Sequence, residues 1–215
     1  MQNKPRVLIA CEFSGIIRDA FAASGCDAWS CDLSASERDS ANHLQCDVRD
    51  VLHDGWDLMI AHPPCKYLAY SGSRVWHEAG RAEKRARAME FFKQLYYAPI
   101  PRICVENPLG EPCKHIKHSQ IIHPYYFGDE FQKRTLLWLK NLPLLRHYKE
   151  ATLFEPKTWA DSKGQIDIGA DGKARAAWYN NAYALSETER VKLRSRTFGG
   201  IAQAMAAQWS PILKL

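Results

Sequence analysis

The chain has 215 residues, 46% hydrophobic and 25% charged, with a formal net charge of +5. That length suits a single domain (1–215) with a real core, and the composition excludes disordered and fibrous classes. No apolar run approaches the ~20 residues of a membrane span, and Met1 to Arg6 lacks a signal-peptide core, so a cytoplasmic protein without a membrane partner is expected.

Arg6 to Ala10 is a continuous apolar run and reads as a buried parallel strand. Ile16 to Ser24 has apolar residues at helical spacing, and Gly25 is its stop. Ala28 to Cys31 is a second strand ending at Asp32, and His43 to Cys46 a third ending at Asp47-Val48. Asp57 to Ala61 is the fourth strand, closed by Pro63-Pro64-Cys65. A long helix spans Arg81 to Tyr97, ended by Pro99 and Pro101, and Arg102 to Val105 is the fifth strand. Further on, Gln120 to Gly128 reads as strand and turn, and Arg134 to Leu139 as a strand. Residues 141–195 show little periodicity and read as an irregular insertion. Within it Ser186 and Glu189 form a capping-box pattern. Gly200 to Leu213 is a terminal amphipathic helix.

Alternating strands and helices predict an α/β fold with a doubly wound, mostly parallel sheet. Ligands of such sheets bind outside the carboxyl ends of the strands. Ser14-Gly15, Asp32, Asp47, Cys65 and Glu106 all fall at such ends, which points to one shared site.

The seven cysteines include no Cys-x-x-Cys pair, so reduced thiols are expected. Most lie in apolar runs, where cysteine acts as a small hydrophobe. Cys65 differs, because two prolines hold it on a rigid loop. A thiolate and a carboxyl group, Cys65 and Glu106, are the equipment for adding to a conjugated ring and protonating it elsewhere. The bland alternatives are a structural cysteine and a turn-capping carboxylate. Cys113, His115, His118 and His123 do not have the spacing of a common zinc module, and no metal is expected.

Pro63-Pro64-Cys65 followed by Val105-Glu106-Asn107-Pro108 resembles the cytosine-C5 DNA methyltransferases. Phe13-Ser14-Gly15, the acids Asp32 and Asp47, Gln132-Lys133-Arg134 and the helix start Gly199-Gly200-Ile201-Ala202 match the family in order. The resemblance implies a class I, Rossmann-like methyltransferase fold with S-adenosyl-L-methionine as cofactor. It implies that Cys65 attacks C6 of cytosine, Glu106 protonates N3, and Arg134 holds the base carbonyl or a phosphate. It assigns Phe13, Ser14, Gly15 and Pro63 to the cofactor loop side, Asp32 to the ribose, and Asp47 with Val48 to the adenine. Two departures stand out: Leu136 replaces a second arginine, and Ile16-Ile17-Arg18 replace further glycines. Glu12 is placed to substitute for a missing cofactor contact, and His62 to tune the thiol.

Residues 141–195 are short for a target-recognition domain. A compact, phage-like enzyme of low sequence specificity is implied, acting on DNA with or without a protein partner that supplies specificity. Modification of a free pyrimidine nucleotide, and a non-catalytic DNA-binding role on the same fold, remain alternatives. Two basic clusters, Arg81 to Lys93 and Arg190 to Arg196, are candidate phosphate contacts or simply solvated faces.

Overall fold

The central strand β1 (Arg6–Ala10) pairs in parallel with β2 (Asp27–Asp32) on one side and β4 (Leu58–Ala61) on the other. This computed structural model describes residues 4–147, 162–169, 172–181, 185–187, 189, 190, 193 and 197–214. β3 (His43–Gln45) extends the sheet beside β2, and β5 (Arg102–Asn107), followed by the short helix α3 (Pro112–His115), lies parallel to β4. β7 (Thr135–Lys140) runs antiparallel to β5, and β6 (Gln120–Ile122) antiparallel to β7. The order is β3-β2-β1-β4-β5-β7-β6, a mostly parallel seven-stranded sheet.

Successive residues of a strand point to opposite faces, and both faces here are covered. Val7 and Ile9 of β1 join Leu58 and Ile60 beneath α1 (Ile16–Ala23) and α5 (Gly199–Trp209), whose Phe21, Met205 and Trp209 are buried there. Leu8 and Ala10 face the other way, with Met59 and Ala61, onto Phe92 and Leu95 of α2 (Arg81–Tyr96). Phe92 meets Trp138 of β7 edge to face at 5.1 Å, a pair that adds about 0.5–1.5 kcal/mol beyond its area. All four residues of β4 are fully buried, which explains its unbroken apolar sequence.

The described part of the 141–195 segment holds more order than its sequence suggests. A hairpin pairs β8 (Ile166–Ile168) with β9 (Ala174–Ala176), followed by α4 (Ala177–Asn181). Ser186 and Glu189 form the expected reciprocal cap, Glu189 N donating to Ser186 Oγ and Ser186 N to Glu189 Oε2. Of the second basic cluster, Lys192, Arg194 and Arg196 lie outside the described residues. Among the described residues no helix is long and apolar enough to cross a membrane.

Candidate active site

At the carboxyl ends of β1, β4 and β5 lies a cleft of about 160 Å3. Its lining includes Glu12, Phe13 and Ser14 after β1, and His62, Pro63 and Cys65 after β4. Glu106 and Asn107 come from β5, Lys133 and Thr135 from the approach to β7, and Phe198 and Ile201 from α5.

The loop after β4 is fastened to the end of β5. Asn107, 1% exposed, donates from Nδ2 to the Pro63 carbonyl at 2.9 Å. Beyond Cys65 the chain turns tightly, with Leu68 and Ala69 N–H both donating to the Cys65 carbonyl. Tyr70 N then donates to Leu109 O and Glu111 N to Leu68 O, and Ala69 bridges Gly110. A Cβ on Gly110 would stand 2.1 Å from the Leu68 carbonyl oxygen, so only glycine permits this approach. Cys65 is exposed, Pro63 is buried, and Glu106 is half-buried.

Glu106 meets His62, whose Nδ1 lies 3.3 Å from Oε2; both side chains are 19% exposed. Burial works to raise the Glu106 carboxyl. The His62 hydrogen bond, the Lys133 and His62 charges and the Thr135 hydroxyl outweigh it and hold the group below the ordinary carboxylate range. His62 is therefore a partner of the carboxylate. The second ring nitrogen, Nε2, is buried without a protein partner.

The other wall carries the turn from β1 into α1. Gly15 adopts φ 71° at the helix start, and the buried Arg18 folds its guanidinium over it. Arg18 hydrogen-bonds Asp19, Ser30 and Ser36, so it occupies the space that extra glycines would leave. Glu12, 3% exposed, accepts from Ile17 N at 2.9 Å and Ser14 Oγ at 3.0 Å through Oε1. Its Oε2 is buried with no protein partner. A buried carboxylate oxygen without a donor, on a residue that lines the cleft, suits a cationic ligand group.

Of the residues singled out in sequence, Phe13, Ser14, Pro63, Cys65 and Glu106 line the cleft. Gly15 shapes the turn behind them. Asp32, Asp47 and Val48 are not among the residues that line the cleft; burial first, then the charges of Asp32, Cys31 and Asp47, pushes the thiol of the lining residue Cys11 up. Asp32 accepts from Ser34 N, and Asp47 caps the turn at buried Val48 and pairs with Arg49. Arg134 is exposed and outside the lining, whereas Lys133 and Thr135 on either side of it face the cleft. These two were missed because the motif drew attention to the arginine; the two-residue period of an extended chain puts 133 and 135 on one face. Ile201 of the Gly-Gly-Ile-Ala start lines the cleft. Gly200 is needed for packing, since a Cβ there would meet Phe127 O at 2.1 Å.

His115 contacts Glu111, His118 lies against Trp138, and His123 against Tyr125 and Tyr126. Among the described residues no three potential metal ligands gather.

No protein-family model and no curated protein matches this chain. Among solved structures it is similar to a methyltransferase of Entamoeba histolytica, with a TM-score of 0.50 and 11% identity. The likeness covers 98% of this chain and 99% of that one. It shows the fold, a Rossmann-like α/β sheet shared with that structure.

Proposed function

We propose that this protein transfers a methyl group from S-adenosylmethionine to C5 of cytosine in DNA, through a covalent bond from Cys65 to C6. The observation that carries the reading is the Asn107–Pro63 hydrogen bond, which brings the Cys65 loop and Glu106 to one cleft. A thiol and a carboxyl group held on rigid elements beside one cavity suit addition across a pyrimidine double bond.

When bound, the cofactor supplies an electrophilic methyl group on a sulfonium. The residues fit it at one point: the orphaned Glu12 Oε2 is an acceptor for its cationic groups, while Phe13 and Ser14 flank the same wall. Asp32 stands at the end of β2, where an acid holds ribose hydroxyls in this fold.

On the base side, the Cys65 thiolate forms a bond to C6. The C5–C6 electron pair moves into the ring, and N3 takes a proton delivered through Glu106, leaving C5 nucleophilic. After C5 is alkylated it loses its proton to a base, N3 gives its proton back to Glu106, the C6–S bond breaks, and Cys65 leaves as thiolate. Lys133 beside Glu106 offsets negative charge that develops on the ring.

A cationic and aromatic surface beside Cys65 supports DNA over a free nucleotide. Arg81 and Lys84 lie over Tyr67, and Arg85 and Lys114 over Trp76, with centroid distances of 4.6–5.9 Å. Arg74, Lys84 and Arg87, in the segment 70–96 that follows the Cys65 turn, are exposed and available to phosphates. A base in duplex DNA must leave the stack to reach Cys65. The test is expression in cells that lack C5 methylation, with their DNA digested to nucleosides for mass spectrometry. 5-Methylcytosine is expected for the active chain and not for Cys65→Ser. Unmodified DNA together with a modified nucleotide pool would move the activity to free pyrimidines.

A further inference from the structure

The strand edge that brings Lys133 and Thr135 to the cleft has a second face. β6 pairs with β7 so that Ile122 stands opposite Thr135. His123 continues in extended conformation, φ −133° and ψ 149°, which sets it beside Arg134. Along an extended chain alternate residues share a face. Ile122, Lys133 and Thr135 line the cleft, whereas His123 and Arg134 are not among its lining residues. The latter two belong to the outer face of the same edge, and Arg134 is exposed there.

A second cation reaches that face from the 141–195 segment. A Cβ on Gly164 would stand 2.2 Å from Glu130 O, so this stretch lies directly on the chain that leads to Arg134. Trp178 of α4 donates from Nε1 to Gln132 O at 3.2 Å, a second fastening to the same chain. Lys163, next to Gly164 and exposed, holds its Nζ 5.6 Å from the centre of the Tyr125 ring. That distance is within cation–π range. Tyr125 lies edge to face with Tyr126 at 4.7 Å and 5.4 Å from the His123 ring. Burial first, then the charges of Arg134 and Lys163, holds the His123 imidazole below its ordinary range. The same two charges reach Tyr126. Cations from two separate segments thus share one aromatic floor.

We propose that Arg134 and Lys163 form a phosphate-binding surface at the rim of the cleft, which grips the DNA backbone beside the reacting base. This role rests on DNA being the substrate, as proposed above. β5, which ends in Glu106 and Asn107, lies between β4 and β7 in the sheet. The surface therefore stands across Glu106 from the Cys65 turn and the basic segment that follows it. A base drawn out of the duplex enters the cleft with a phosphate on each side of its sugar. Cations on both sides of the mouth match that geometry and carry no sequence information. Arg134 offers a planar fork of donors to phosphate oxygens, and Lys163 a point charge. Neighbouring residues divide the work: Lys133 serves the base inside the cleft, and Arg134 the backbone outside it.

The experiment measures binding of a labelled, cytosine-containing duplex to the full chain by fluorescence anisotropy, from about 50 to 200 mM salt. Arg134→Gln and Lys163→Gln should each flatten the log–log salt slope by about 0.9, and the double variant by about 1.8. Arg134→Lys and Lys163→Arg keep the charge and should keep the slope. Lys4→Gln removes an exposed charge just before β1, at the opposite edge of the sheet, and should leave the slope unchanged. In steady-state methylation the loss should fall on KM for DNA, with kcat lowered by less than about threefold, because the grip is the same in ground and transition states. An unchanged slope in the double glutamine variant overturns the proposal. So does an equal change in Lys4→Gln, which would reduce the effect to net charge. A fall in kcat of about 10²-fold for Arg134→Gln at constant slope would place Arg134 on the base instead. Calorimetric titration with deoxycytidine monophosphate separates the two sources of phosphate. Weaker nucleotide binding by the double variant, with an unchanged DNA slope, would assign the surface to a free nucleotide and overturn the backbone grip. A wild-type chain that neither binds nor methylates DNA contradicts the DNA substrate and this surface together, whereas wild-type methylation with an unchanged slope contradicts the surface alone.

Discussion

Gly110→Ala isolates the stitch between the two halves of the site. The new Cβ would lie 2.1 Å from Leu68 O, 2.8 Å from Leu68 C and 3.0 Å from Ala69 Cα, all backbone atoms. Real Cβ contacts stay beyond 3.0 Å, so the Leu68 carbonyl must retreat by about 0.9 Å. Leu68 is fully buried and its carbonyl accepts from Glu111 N, so the retreat strains both the core and the stitch. Overpacking of this kind costs about 1–3 kcal/mol, a Tm loss of roughly 2–12 °C for a chain of this size. The effect on chemistry is larger, because the displaced turn begins at Cys65. A misplacement near 1 Å costs about 10²-fold in rate. Calorimetry and single-turnover methylation of DNA measure the two. Gly199→Ala is the matched control: a Cβ there meets nothing within 4 Å, so a Tm change under about 2 °C is expected. A Gly110→Ala protein with wild-type Tm and rate would refute the claim that this contact positions Cys65.

Other outcomes follow from single contacts. Cys65→Ser should abolish base modification while leaving cofactor affinity within about twofold by titration calorimetry, since oxygen is far less ionised near neutral pH. Glu12→Gln should weaken S-adenosylmethionine binding by about tenfold, the scale of one charge-assisted contact; unchanged affinity would return Oε2 to a purely structural role. Replacing Arg74, Lys84 and Arg87 with glutamine should flatten the log–log salt dependence of DNA binding by up to about 3 if all three touch phosphate. An unchanged slope would make that surface a solvated face. Asp47 is pulled to about 2 by its hydrogen bonds to Arg49, against an ordinary 3.8. The stability it contributes is full above about pH 4 and lost as pH falls towards 2. The Tm gap between wild type and Asp47→Asn should close over that window in acid melts.

The strands that carry the site were legible because buried parallel strands are continuous apolar runs: Arg6–Ala10 and Leu58–Ala61 stand out without any pattern analysis. Gly25 was legible as a helix stop because its φ of 86° is one that only glycine adopts at little cost. The hairpin at 166–176 was not, because its strands are three residues long and Ile166 and Ile168 are exposed. Too few residues alternate there for a period to show. In the cleft, Cys65 and Glu106 were visible as a thiol and a carboxyl group following strands. The Asn107–Pro63 and His62–Glu106 contacts were not, since both join residues 44 apart in sequence. Only the parallel register of β4 and β5 brings those strand ends together.

The central claim is that Cys65 bonds to the base. DNA carrying 5-fluorocytosine tests it most directly, because fluorine at C5 cannot leave as a proton and the adduct stalls after methyl transfer. The protein, incubated with this DNA and S-adenosylmethionine, then denatured and digested, is read by peptide mass spectrometry. The account predicts a denaturation-resistant complex whose DNA-linked peptide contains Cys65 and which Cys65→Ser does not form. A protein that methylates ordinary DNA yet forms no adduct, or forms one at another residue, would contradict it.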